Sequence, residues 1–160
     1  GWMIRALDLG WHLAPDGSDD THAPNWGNCN RWTVVLAPGL TRANMIAALQ
    51  QRHCYSTFDR NCRLSFTING ATMGDIIEQP VTAAAVTIDV NDPDADDAIR
   101  LIELYGDGEV IQTDEPGTNQ RRIELTLTPE PGTHYYFVKV TQADNQPIWS
   151  APIWVTVPGG

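Results

Sequence analysis

Asp20-Thr21-His22 lies in a loop-forming stretch, residues 11–27, among Pro15, Gly17, Pro24 and Gly27. An Asp-x-His pair in such a loop can direct a carboxylate and an imidazole at one cation, a combination that borderline divalent metals accept. Two ligands do not hold a catalytic metal, which takes three or more protein ligands and an open position for water. The pair therefore reads as one piece of a metal site whose remainder lies elsewhere. Asp19 and Asp20 are adjacent, so their side chains cannot both face one ion. Asp20, beside His22, is the expected ligand, and Asp19 becomes turn or supporting material. His12 is either a further ligand or packed loop. The plain alternative for Asp20 and His22 is an Asx-turn with a surface histidine.

Other chemistry-bearing residues carry weaker signals. Asp92, Asp94 and Asp96 occupy positions 1, 3 and 5 of a calcium-loop-like window, with Glu103 at position 12. Asp97 stands where that loop requires glycine, Pro93 is at position 2, and the flanks read as strands, so an acidic turn is the simpler reading. A weaker cation site of another type stays open there. No phosphate-binding glycine loop, nucleophile elbow or paired Cys/His arrangement occurs. His53 follows a helix end, where a cation complements the dipole, and His134 opens a strand. Trp149 and Trp154 could stack on sugars, although core or edge packing is the simpler role. Cys29, Cys54 and Cys62 show no C-x-x-C spacing and are odd in number, so neither a structural zinc site nor a fully paired set of bridges is indicated; a Cys54–Cys62 bridge across one short turn stays open as the less favoured reading.

The elements that must position these residues change character near residue 60. Before it, the chain is loop-rich, with a short β-branched run at Thr33-Val34-Val35 and one helix beginning at Thr41, whose hydroxyl precedes apolar residues 45, 46 and 49 in helical spacing. After it, the period is two. Leu64, Phe66 and Ile68 alternate with polar residues, as do Val86, Ile88 and Val90, and Ile123, Leu125 and Leu127. Gly106-Asp107-Gly108 is a hairpin turn between residues 99–105 and 109–113. Residues 135–141 and 150–157 complete about seven strands. The spacing predicts a mainly β protein: an antiparallel immunoglobulin/fibronectin-III-like sandwich over residues 61–160, after a segment 1–60 holding one α-helix. Tyr136 is placed for a tyrosine corner, and the lack of a Cys-Trp-Cys pattern favours the fibronectin-III-like variant.

A net charge of −10, a pI near 4.5 and a single lysine, Lys139, exclude a nucleic-acid backbone as partner. No run of about 18 apolar residues forms a membrane span, and no signal peptide opens the chain. The opening Gly1-Trp2-Met3 reads as internal, which suggests an excised or processed piece.

The motifs in the first seventy-five residues connect these readings. Asp20-Thr21-His22 with Trp26-Gly27, Arg31-Trp32-Thr33-Val34-Val35-Leu36-Ala37, Leu40-Thr41, Ala47-Ala48-Leu49, Tyr55-Ser56-Thr57 and Met73-Gly74 follow one another as in the C-terminal end of PHP-type metal-dependent hydrolases. The closing Trp149-Ser150-Ala151-Pro152-Ile153-Trp154 resembles the end of their accessory β region. The likeness is to the CehA/McbA-like group of phosphoesterases and esterases. It implies a parent with an N-terminal PHP α/β barrel, divalent ions (Zn, Mn or Fe) that activate water, and a small-molecule ester substrate. Residues 1–60 would be the barrel's C-terminal remnant and 61–160 an accessory sandwich. Only Asp20 and His22 carry over, each as a metal ligand, because the family's opening His-x-His has no counterpart here. Such a piece would be inactive alone, and whether it binds metal by itself stays open. The alternative is an autonomous β-sandwich module that binds carbohydrate or protein.

Overall fold

The computed structural model describes residues 1–24, 27–28 and 30–159. Its elements in chain order are α1 (Trp2–Asp8), β1 (Trp32–Val35), α2 (Arg42–Gln50), β2 (Cys54–Thr57), β3 (Arg63–Ile68), β4 (Ala71–Thr72), β5 (Ile76–Ile77), β6 (Ala84–Asn91), β7 (Ile99–Gly106), β8 (Glu109–Asp114), β9 (Gln120–Leu127), β10 (Gly132–Gln142), β11 (Pro147–Ser150) and β12 (Ile153–Val157). They form two sheets. The smaller runs β4-β3-β6-β9. The larger holds eight strands, β1-β2-β11-β10-β12-β5, with β7 joining β10 to β8. All pairs are antiparallel except β12 with β5. This is the mainly β, antiparallel sandwich that the alternation predicts.

The period-two residues do what their pattern requires. Phe66, Ile68, Val86, Ile88 and Val90 from the smaller sheet meet Ile102, Leu104, Val138, Val140, Ile148, Ile153 and Val155 from the larger in one fully buried cluster. Thr41 caps α2 as expected, its Oγ1 accepting from the Asn44 N–H at 3.2 Å. The β7–β8 turn places Asp107 at φ +50° and Gly108 at +83°, the left-handed pair of a two-residue hairpin.

Several expectations need correction. Twelve strands are present among the described residues, where about seven were expected. The added ones are short, or, like β2, buried at every position and so without alternation. The run 150–157 is split at Ala151-Pro152 into β11 and β12, which pair with different halves of β10. A second helix, α1, precedes the expected one. Leu7 enters a small cluster with Tyr135, Phe137 and Trp154 on the face of β10 opposite the main core, and the Tyr135 hydroxyl donates to Asp8 Oδ1 at 2.6 Å. Cys54 and Cys62 are both buried and free.

Residue 60 does not separate the sheets, because β2 hydrogen-bonds β11 from Ile148 to Ser150. The phenol that bonds back to backbone is that of Tyr55, donating to the Cys62 carbonyl at 3.0 Å, whereas the Tyr136 ring packs over Gly106. No helix among the described residues is long and apolar enough to cross a membrane.

Candidate functional site

The segment after α1 is laid across the sandwich before it reaches Asp20. His12 meets the Trp154 ring edge-on at 4.7 Å between centroids, Leu13 joins the α1 cluster and Ala14 the main core. At Gly17 the chain touches β1. Its N–H donates to Thr33 Oγ1 at 2.8 Å, and a Cβ there would stand 2.3 Å from the Trp32 carbonyl oxygen, so only glycine permits this approach. Beyond that anchor the loop turns outward. The Asp20 N–H donates to Ser18 Oγ and the Thr21 N–H to Asp19 Oδ1 at 3.2 Å, which makes Asp19 the turn residue expected of it. Asp20 takes φ +48°, and Asp20 and His22 are both exposed.

Asp19 also borders an open polar cleft with Asn28, Asn30, Arg31, Phe58 and Gln146. The Arg31 guanidinium lies 5.1 Å from the centre of the Phe58 ring. Two exposed donors suit a borderline divalent ion but cannot enclose one. Among the described residues no third His, Cys, Asp or Glu gathers with Asp20 and His22. The donor set thus fits a metal only as a contribution to a larger site. Trp26 and Cys29 lie outside the described residues.

The remaining histidines are engaged elsewhere. His12 is the packed loop residue just described. His53, expected to complement a helix end, places Nε2 2.7 Å from Asp75 Oδ1, while Asp75 Oδ2 accepts from the Thr72 N–H. His134 places Nδ1 2.6 Å from Asp107 Oδ2 and Nε2 2.7 Å from the Glu130 carbonyl. Trp154 is buried, with the Arg52 guanidinium 5.4 Å from its ring centre. Trp149 is half-buried and covered by Lys139, which pairs with Glu103. The two tryptophans that could have stacked on sugar are therefore used in packing.

One arrangement was missed in its real form. Asp59, Asp92 and Asp97 bring one carboxylate oxygen each within 4.8 Å of the others, so the acidic turn contributes its first and sixth residues and the loop after β2 supplies the third. Burial, then the neighbouring Asp59 and Asp94, raises the Asp92 pKa. Burial, then Asp144, Asp92 and Asp59, raises that of Asp97. The adjacent Cys62 thiol is pushed up to about 12 by burial and these carboxylates, which keeps it protonated and unreactive at neutral pH.

No protein-family model matches the chain. It is 31% identical over 140 residues to an uncharacterised protein of Chlamydia pneumoniae, a stretch covering 77% of this chain and 22% of that protein. Over 137 residues it is 28% identical to an uncharacterised protein of Chlamydia muridarum and, equally, to one of Chlamydia trachomatis. The chain spans about a fifth of the length of these relatives, 22% of each. Among solved structures, it is similar to the fibronectin(III)-like modules of Clostridium thermocellum CbhA, with a TM-score of 0.38, 20% identity, and coverage of 59% of this chain and 99% of that one. A Jonesia denitrificans lytic polysaccharide monooxygenase gives 0.38, 17%, 57% and 76%. Similarities of that size carry no argument about function.

Proposed function

We propose that this chain is the accessory β-sandwich of a metal-dependent hydrolase of the PHP type, and that its N-terminal loop lends Asp20 and His22 to a metal centre completed by a barrel in the same parent protein. The observation that carries the reading is the loop itself. It is pinned at Gly17 against β1, yet it presents an Asp-x-His pair outward, beside a polar cleft, with no partner ligands of its own among the described residues. The ordered motifs of residues 20–74 support it. So does the distribution of exposed apolar side chains, since six of the nine large ones among the described residues, Trp2, Leu9, Trp11, Leu40, Ile46 and Leu49, belong to the first fifty residues, while Ile76, Val110 and Ile111 lie beyond them. When bound, a Zn, Mn or Fe ion would supply a Lewis acid and an activated water for ester or phosphoester cleavage. This chain's part is to hold two ligands in place.

The test is calorimetric titration of this chain with Zn2+ and Mn2+, alongside Asp20→Ala and His22→Ala. The expected result is weak or absent binding that depends on either residue. Tight, stoichiometric binding lost in both variants would mean that the chain completes its own site, and the reading would be wrong.

A further inference from the structure

At one end of the sandwich, two connections cross from sheet to sheet. The β2–β3 loop leaves the larger sheet for the smaller and bears Asp59. The β6–β7 connection returns to the larger sheet and bears Asp92 and Asp97. Gln142, the last residue of β10, closes the group. We propose that Asp59, Asp92, Asp97 and Gln142 form a calcium site that clasps the two sheets together.

The carboxylates are aimed inward by backbone bonds. Asp59 Oδ1 accepts from the Asn61 and Cys62 N–H groups at 2.6 and 2.8 Å. Asp92 Oδ1 accepts from the Asp94 N–H at 2.8 Å. The opposite oxygens, Oδ2 of Asp59, Asp92 and Asp97, all converge on the Gln142 amide nitrogen at 3.2, 2.5 and 3.1 Å. An amide NH2 has two hydrogens and no formal charge, so it cannot satisfy three anionic oxygens. Gln142 is fully buried, and its Oε1 has no hydrogen-bond partner. A half-turn of the amide exchanges its two ends and brings that oxygen to the carboxylates.

Four oxygens around one point are repulsive unless a cation sits among them, and a cation satisfies all four at once. None of the ion pairs among the described residues involves Asp59, Asp92 or Asp97. Asp92 is itself fully buried, where an unpaired charge is costly. The donors are all oxygen, the choice of hard cations. A spread of at most 4.8 Å is no more than twice a calcium–oxygen distance of about 2.4 Å. Carboxylates drawn from two loops, with an amide, make a site of the irregular kind that calcium accepts and magnesium does not.

The experiment is a titration of the chelator-treated chain with CaCl2, followed by calorimetry and by thermal unfolding. One ion per chain and a raised unfolding midpoint are expected. Asp97→Asn, at the half-buried edge of the group, weakens binding by about tenfold or more. Gln142→Glu lowers the midpoint in chelator but enlarges the rise on adding calcium, which a purely structural glutamine would not do. Asp20→Ala and His22→Ala leave the response unchanged, so failure here and failure of the hydrolase reading are separable. No saturation at ~10 mM, beyond the weakest range of protein calcium sites, overturns the proposal. So does a response untouched by Asp97→Asn, or one reproduced in full by MgCl2.

Discussion

His134 shows how much a single ring can be committed by its neighbours. Both nitrogens face acceptors, the Asp107 carboxylate and the Glu130 carbonyl, so both must carry protons and the bonded ring is the imidazolium. Burial works against that charge, but the two bonds outweigh it and raise the His134 pKa. With the folded value above the unfolded one, the ring's contribution to stability is complete below about pH 6.5 and is lost as pH rises through the raised folded value. NMR titration should find His134 titrating above that reference, and the difference in melting temperature between wild type and His134→Gln should shrink on going to alkaline pH. A ring that titrates at or below the reference would refute this. Asp20 and His22 differ in kind: both are exposed, in a loop whose backbone is turned at this point by Ser18 and Asp19. Their types and spacing were readable because ligand chemistry is written locally in three residues. The cluster of Asp59, Asp92, Asp97 and Gln142 was readable only as an acidic turn, because its members are 83 residues apart at the extremes and only the sheet topology brings them together.

At the scale of elements, the strands with one polar and one buried face announced themselves. β3, β6 and β9 follow the period of two, and the Asp107-Gly108 turn fixes the hairpin between β7 and β8. What hid were elements without alternation. β2 is buried at all four positions and so has no polar stripe. α1 has seven residues and no side-chain cap, which leaves little local signal above its tryptophan and leucine content. The break between β11 and β12 depends on Ser150, whose Oγ accepts from the buried Val138 N–H at 2.8 Å where Pro152 and the chain's bend interrupt the ladder. Ser150→Ala should cost about 1–3 kcal/mol, since it leaves that N–H without an acceptor. Denaturant unfolding that shifts by much less would mean that water replaces the hydroxyl.

At the scale of the molecule, the sandwich and the first sixty residues are one sheet system, yet they have different surfaces. The strands after residue 60 bury most of their large apolar side chains between the sheets. The helices and loops before it leave tryptophans and leucines in solvent and carry the Asp-x-His pair on the same part of the chain. The proposal of a module docked to a catalytic domain rests on that division. The most direct measurement is hydrolysis of an aryl phosphoester and an aryl carboxylic ester by the complete parent protein, with Mn2+ or Zn2+ and with chelator, for wild type, Asp20→Ala and His22→Ala. Metal-dependent turnover of one ester class is expected, falling at least about a hundredfold in both variants. Unchanged rates in the variants, or no metal-dependent turnover of either ester, would contradict the account.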